Sequence, residues 1–271
     1  MRNKLSLIIT TKNEEAVIEN LLKSLKRQSF KNFEIIIVDN NSSDRTKEIS
    51  KKYTKHVYNF GPERSSQRNY GVRKASGDYI LILDADMELT KNVLKSCVSE
   101  ISRNNNIEGL IIPEKSIGKG FWAKCKAFER QFYIGDENIE AARFFTRKTF
   151  IKFKGYDASM TGPEDWDLPL RMKKKGVKIG RIREYILHNE KKFSPINSAK
   201  KKFYYALHSK EYLKRHPEMI FTQGNLFFRS AFYQNLNKLL ENPSVTVGFL
   251  LIRFLEMSAA ALGITLSFIR K

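Results

Sequence analysis

Apolar residues in the first part of the chain form short unbroken runs, separated by stretches in which they recur every three or four positions. LSLIITT (5–11), FEIIIVD (33–39) and YILILD (79–84) are the unbroken runs. Each is short and mostly aliphatic, which predicts a strand covered on both faces. Between them, residues 14–28 bring Val17, Ile18, Leu21, Leu22 and Leu25 onto one helical face. DRTKEISKKY (44–53) reads as a second helix with Ser43 as its N-cap, and a third runs over 65–75 and ends at Gly77. HVYNF (56–60) is a shorter strand. A helix from Thr90 and the strand IEGLIIP (107–113) complete this part.

Strands alternating with helices predict a parallel sheet flanked by helices. Ligands of such sheets bind beyond the carboxyl ends of the strands. Those ends are polar and largely acidic here: Thr10-Thr11-Lys12-Asn13-Glu14, Asp39-Asn40-Asn41-Ser42-Ser43-Asp44 and Asp84-Ala85-Asp86. Any one of them alone is ordinary turn chemistry, and Asp44-Arg45-Thr46 is read that way. Asp84 and Asp86 differ. Two carboxylates leaving one buried strand suit Mg²⁺ or Mn²⁺, with substrate phosphates completing the shell.

Residues 114–192 are aromatic, basic and irregular. They hold a predicted helix (120–132), the strand AARFFTR (141–147) and the helical EDWDLPLRMKKKG (164–176). Trp122, Phe128, Phe132 and Tyr133 are expected to pack in a core, the default for aromatics. Trp166 is the aromatic best placed to meet an acceptor. Beyond Pro195 the chain turns helical and basic, and it ends in an apolar stretch over 245–269.

Composition narrows the partners. Among 271 residues, 41% hydrophobic, 49 Lys and Arg face 29 Asp and Glu, for a formal charge of +20. A core of ordinary size can form, and the excess charge calls for an anionic partner. Cys97 and Cys125 lack metal-like spacing and are expected as buried thiols in a reducing compartment. Met-Arg-Asn-Lys runs straight into the first strand, too short and too β-branched for a signal peptide, so the body is expected on the cytosolic side.

LSLIITTKNEE, FEIIIVDNNSSDRT, RNYGVRKASGDYILILDADM and GPEDWDLPLRMKKKG, in this order, resemble family 2 glycosyltransferases of the GT-A fold over roughly residues 4–192. The resemblance implies a mostly parallel, mixed α/β sheet flanked by helices. Residues 1–115 would form the nucleotide-sugar half and 116–192 the acceptor half of one domain, with 193–271 a helical C-terminal region.

It further implies an inverting transfer from a nucleoside-diphosphate sugar, assisted by Mn²⁺ or Mg²⁺. Thr10, Lys12, Glu14, Asp39 and Asn40 match the positions that hold base and ribose. Lys12 stands where the family usually has an aromatic. Asp84 and Asp86 match the D-x-D positions, Asp86 nearer the metal and Asp84 nearer the ribose, with Glu88 a further candidate ligand. Asp165 matches the general base and Glu164 the residue that orients base or acceptor. Arg68, and with less reason Arg64, suit the donor diphosphate, since guanidinium matches phosphate geometry. His188 follows a strand, where a histidine of related enzymes often stands.

The last stretch is long enough to cross a bilayer. Arg253 and Glu256 sit in its middle, however, each costing about 2.5–3.5 kcal/mol at the bilayer centre. They are three apart and are expected to pair on one face. An interfacial or partly inserted helix closed by Arg270 and Lys271 is predicted, against the plainer alternative of a helix packed on the domain. A basic, membrane-associated enzyme points to a lipid-linked acceptor, a polyprenyl phosphate or glycan, at the cytoplasmic face of an anionic membrane. No Q-x-x-R-W follows the acidic pair, so one sugar per encounter is expected. A nucleic-acid-binding protein would account for the charge but not for the acidic clusters, and no nucleic acid is expected. A sugar-phosphate nucleotidyltransferase would need a glycine-rich loop after the first strand, and TTKNEE has none.

Overall fold

The computed structural model describes residues 3–104, 106–137, 139–219, 232 and 236–269. They divide into two compact units. The first comprises Met1–Glu114, Ala141–Ser159 and Glu164–His188. The second comprises Lys115–Glu140, Met160–Pro163 and Asn189–Lys271.

The first unit is built on a seven-stranded sheet. Its strands are β1 (Leu5–Thr11), β2 (Phe33–Asp39), β3 (Val57–Asn59), β4 (Tyr79–Asp84), β6 (Ile107–Ile111), β8 (Ala142–Thr146) and β9 (Lys178–Arg181). Their order is β3-β2-β1-β4-β8-β6-β9. β8 runs antiparallel to β4 and β6, and the other pairings are parallel. The mixed, mostly parallel α/β sheet is therefore as expected. Side-chain alternation splits each central strand between two cores. Leu5, Leu7 and Ile9 of β1 with Leu81 and Leu83 of β4 enter one cluster, and Ile8 with Ile80 and Ile82 enters the other. Both faces are thus apolar, which is why these strands read as continuous runs rather than alternating ones.

Helices α1 (Ile18–Lys26) and α4 (Val93–Arg103) bury Leu21, Leu22 and Leu94 in the first cluster. Helices α3 (Arg64–Lys74) and α7 (Glu164–Lys174) bury Val72, Leu168 and Met172 in the second. Helix α2 (Thr46–Lys51) is shorter than predicted, and Ser43 is not its cap. Asp44 instead accepts from the Thr46 amide, as an Asx turn does. A three-residue strand, β5 (Met87–Leu89), pairs antiparallel with β10 (Ile186–Asn189). Glu88, the further candidate ligand, therefore lies on a strand.

The second unit gathers α5 (Phe121–Gln131), α8 (Pro195–Leu207), α9 (Lys210–Arg215), α10 (Leu236–Glu241) and α11 (Pro243–Ile269). Phe128, Phe132 and Tyr133 pack with Phe249 in its core, so packing explains these aromatics. Helix α11 is long and apolar enough to cross a membrane by length and composition. Arg270 and Lys271, expected to close it, lie outside the described residues. The remaining elements are β7 (Glu114–Ile117) and α6 (Arg147–Lys152).

Candidate active site

Thr10, Asp39 and Asp84 lie at the carboxyl ends of three neighbouring parallel strands, Thr10 opposite Val38 and Asp84 and Thr11 opposite Asp39. The sheet itself thus delivers the predicted strand-end residues to one edge. What surrounds each differs.

The turns after β1 and β2 are stitched together. The Asn13 amide donates to Ser42 Oγ at 2.8 Å, and the Ser43 amide donates to Asn13 Oδ1 at 2.9 Å. The Glu14 amide donates to Thr46 Oγ1 at 2.8 Å, and Arg45 N donates to Glu15 Oε2 at 3.0 Å. Asn13 and Asn41 make this possible by adopting positive φ, which asparagine tolerates. Asp39 is wholly buried, its carboxylate accepting from the Ser42 amide at 2.7 Å and the Ser42 hydroxyl at 2.5 Å. It holds its own turn. Lys12 is exposed at the mouth, Glu14 is partly buried, and Asn40 donates through Nδ2 to the Pro62 carbonyl at 2.8 Å.

The centre of the edge is an arginine between carboxylates. Arg68, on α3, is completely buried. Its Nη2 meets Asp84 Oδ1 at 2.8 Å, and its Nη1 meets Asp165 Oδ1 at 2.5 Å and Glu164 Oε1 at 3.3 Å. Its guanidinium lies 5.3 Å from the Tyr156 ring centre, a cation–π contact. The D-x-D strand and the acidic pair on α7, about 80 residues apart in sequence, are therefore joined by one side chain. Arg64 adds a second cation, its Nη2 3.1 Å from Glu164 Oε1. Arg143, on β8, adds a third. Its Nε donates to Glu114 Oε1 at 2.5 Å, and its Nη1 lies 3.6 Å from Asp84 Oδ2.

Burial opposes every charge in this cluster, and opposite charges outweigh it for most. Arg68 is held well above the ordinary arginine range by Asp165, Asp84 and Glu164. Asp84 is held well below the carboxylate range by Arg68, Arg143 and Arg64. Glu164 goes the other way: burial and neighbouring Asp165 push its carboxyl up despite Arg68 and Arg64.

Asp86 stands apart from this lattice. Its Oδ1 is buried and makes no hydrogen bond among the described residues, and it lies 3.6 Å from His188 Nε2. A carboxylate oxygen left in that state suits a hard cation. Asp84, in contrast, has Arg68 at one oxygen and Arg143 near the other. No group of three or more His, Cys, Asp or Glu comes together as a metal cluster among the described residues. Mg²⁺ or Mn²⁺ takes one or two carboxylates and leaves the remaining positions to water and phosphate, and Asp86 could hold such an ion in that way.

Arg68 is enclosed by protein carboxylates. Glu164 is likewise buried, and Trp166 is partly buried. Sequence reasoning did not find Arg143, Glu114 or Tyr156. The available signal was an arginine beside two phenylalanines in the strand ARFFT.

A mixed seven-stranded sheet with an acidic strand edge of this kind is a GT-A-type α/β fold. Residues 6–160, more than half of the chain, match Glycosyl transferase family 2, and the chain belongs to that family. Over 180 residues it is 29% identical to GalNAc(5)-diNAcBac-PP-undecaprenol beta-1,3-glucosyltransferase of Campylobacter jejuni, covering 59% of this chain and 57% of that relative. The chain therefore spans less than two thirds of that relative's length. Among solved structures, Staphylococcus aureus TarS 1-349 in complex with UDP matches 99% of this chain and 92% of its own, with TM-score 0.57 and 18% identity. The mannosyltransferase PcManGT of Pyrobaculum calidifontis, in complex with GDP-Man and Mn²⁺, matches all of this chain and 76% of its own, with TM-score 0.59 and 14% identity.

Proposed function

We propose that this chain transfers one sugar from a nucleoside-diphosphate sugar to a lipid-linked acceptor by direct displacement, with inversion, at the cytoplasmic face of an anionic membrane. The observation that carries the reading is the Arg68 bridge, which fixes Asp84 and Asp165 on either side of one guanidinium. A strand-end carboxylate for the donor and a carboxylate for the acceptor are then held at one site.

In this reading Asp165 takes the proton of the attacking acceptor hydroxyl. Its Oδ1 is engaged by Arg68, so the proton goes to Oδ2. Glu164 holds Arg64 and Arg68 and so orients the base rather than the acceptor. Thr10, Lys12, Glu14 and Asn40 line the nucleotide side, where Lys12 offers a cation in place of a stacking ring, and Asp39 keeps that turn in shape. A divalent cation would be held by Asp86, with His188 and Asp84 beside it, and would neutralise charge developing on the leaving diphosphate. Trp166, next to the base, offers an apolar wall to the acceptor. The Campylobacter relative, whose name carries a PP-undecaprenol acceptor, supports the lipid-linked choice.

The test is nucleotide release from a panel of UDP- and GDP-sugars with Mn²⁺, with and without polyprenyl phosphate and polyprenyl-diphosphate glycans. The expected result is release that needs one donor and rises with a lipid acceptor. It should fall to background in Asp86→Ala and in EDTA. Salt-sensitive retention of RNA without turnover of any donor would contradict the proposal.

A further inference from the structure

Helix α11 has its polarity reversed. A surface helix of a soluble protein turns charge outward and apolar residues inward. Here Arg253 and Glu256 lie on the buried face with Phe249 and Ile252, while Leu250, Leu251, Phe254, Leu262 and Phe268 are exposed. Phe254, in mid-helix, is 59% exposed. The exposed positions recur at helical spacing and form one stripe. Leu236 and Leu240 of neighbouring α10 are exposed as well.

The buried charges are partnered by α5 and α8 inside the second unit. Arg253 Nη1 meets Glu129 Oε1 at 2.9 Å, and Lys126 Nζ meets Glu256 Oε1 at 3.0 Å and Glu129 Oε2 at 2.7 Å. Ser198 of α8 donates to Glu256, and the Tyr133 hydroxyl donates to Glu129 at 2.5 Å. Burial opposes ionisation of Glu129, but Lys126 and Arg253 outweigh it and hold the carboxyl at about 2. Two glycines let the backbones close up. A Cβ on Gly248 would stand 2.5 Å from Cys125 Sγ, and one on Gly263 would stand 2.6 Å from the Phe203 carbonyl oxygen. The inward face is thus tied to α5 and α8 by both charge and contact.

Cations border that outward face. Lys210 Nζ lies 5.8 Å from the Phe268 ring centre, and Lys200 and Lys201 are exposed on α8, which packs along α11. With the chain's +20 charge, this complements an acidic surface.

We propose that the exposed stripe of α11, with Leu236 and Leu240 of α10, lies in the headgroup–acyl boundary of an anionic bilayer. The helix axis is in the membrane plane, and the Arg253–Glu129–Lys126–Glu256 network keeps the helix from spanning. Insertion of α11 across the bilayer would take Arg253 from Glu129 and Glu256 from Lys126, whereas lying flat leaves both pairs in place. The inference deepens the membrane part of the proposed function and is independent of which sugar or acceptor is used.

The test uses the full chain and two kinds of vesicle, phosphatidylcholine alone and phosphatidylcholine with phosphatidylglycerol. Flotation should occur with the anionic vesicles and weaken, without vanishing, in high salt. Leu251→Glu with Phe254→Glu should cut vesicle affinity by about tenfold or more while circular dichroism and melting stay unchanged, because both side chains face outward. Cysteines placed at Val247 and Leu262 and labelled should report the same shallow depth against lipid-borne quenchers. The native Cys97 and Cys125 are buried and do not compete for label. Three results would overturn the proposal: no vesicle binding together with a dimer that shields the stripe, binding indifferent to the double substitution, or one label reachable only from the vesicle lumen. None of these measurements contains a nucleotide-sugar, so failure here leaves the transferase reading standing, and inactivity on every donor leaves this one standing.

Discussion

An arginine with no exposed surface is normally a cost, because burial strips it of water. Arg68 keeps its charge because Asp84, Glu164 and Asp165 surround it, and the site depends on that arrangement. A lysine carries the same charge but is a single point and cannot span Asp84 and Asp165 with two nitrogens. Arg68→Lys should therefore lower kcat by roughly 10–10²-fold, the scale of a misplaced catalytic group, with little change in the donor's KM. A raised KM at unchanged kcat would instead make Arg68 a donor ligand. Arg68→Met should destabilise the fold by about 3–5 kcal/mol, because Asp84, Glu164 and Asp165 lose the cation they share and Arg143 and Arg64 reach only the first two. Asp84, Asp165 and Arg68 were all visible in the sequence, but their mutual engagement was not. Nothing along the chain signals that a guanidinium on α3 turns toward carboxylates on β4 and α7. Arg143 was missed because its partner, Glu114, lies 29 positions away on another element.

The strands of the first unit were legible because both their faces are buried, which forces long aliphatic runs. LSLIITT, FEIIIVD and YILILD coincide with β1, β2 and β4 end to end. Short elements such as β5 and β9, at three and four residues, carry no such signal. The N-cap of α2 was misread for a related reason: Ser43 donates its amide to Asn13 across the loop, a long-range bond that local capping rules do not see. At the opposite end of the sheet, Glu34 joins elements in a way that pH can test. It accepts from Ser6 Oγ at 2.6 Å, from the Ser76 amide at 2.7 Å and from Lys4 Nζ at 2.9 Å. Partial burial works against its charge, but these donors prevail and bring its pKa from 4.5 to about 2. The folded pKa is depressed, so its stabilisation is present above 4.5 and is lost as pH falls toward 2. The urea midpoint should drop across that window. In Glu34→Gln it should start lower at neutral pH and fall less. Parallel curves for the two proteins would remove Glu34 from the account.

At the scale of the molecule, the chain has a sheet with an acidic strand edge in one unit and a long helix with an exposed apolar stripe in the other. The charge excess was legible from composition alone, and the apolar last stretch from its run of hydrophobic residues. The inward turn of Arg253 and Glu256 was not, because their partners, Glu129 and Lys126, lie more than a hundred positions away. The central claim is that Asp165 acts as the base of a sugar transfer, and Asp165→Asn tests it most directly. The amide keeps the shape of the side chain but cannot accept the acceptor's proton. With the donor selected by the panel, equilibrium binding should stay within a few-fold of the unsubstituted protein, while transfer to the lipid acceptor should fall by about 10²–10⁴-fold. Transfer that continues at the original rate in Asp165→Asn, or a loss fully explained by weaker donor binding, would contradict the account.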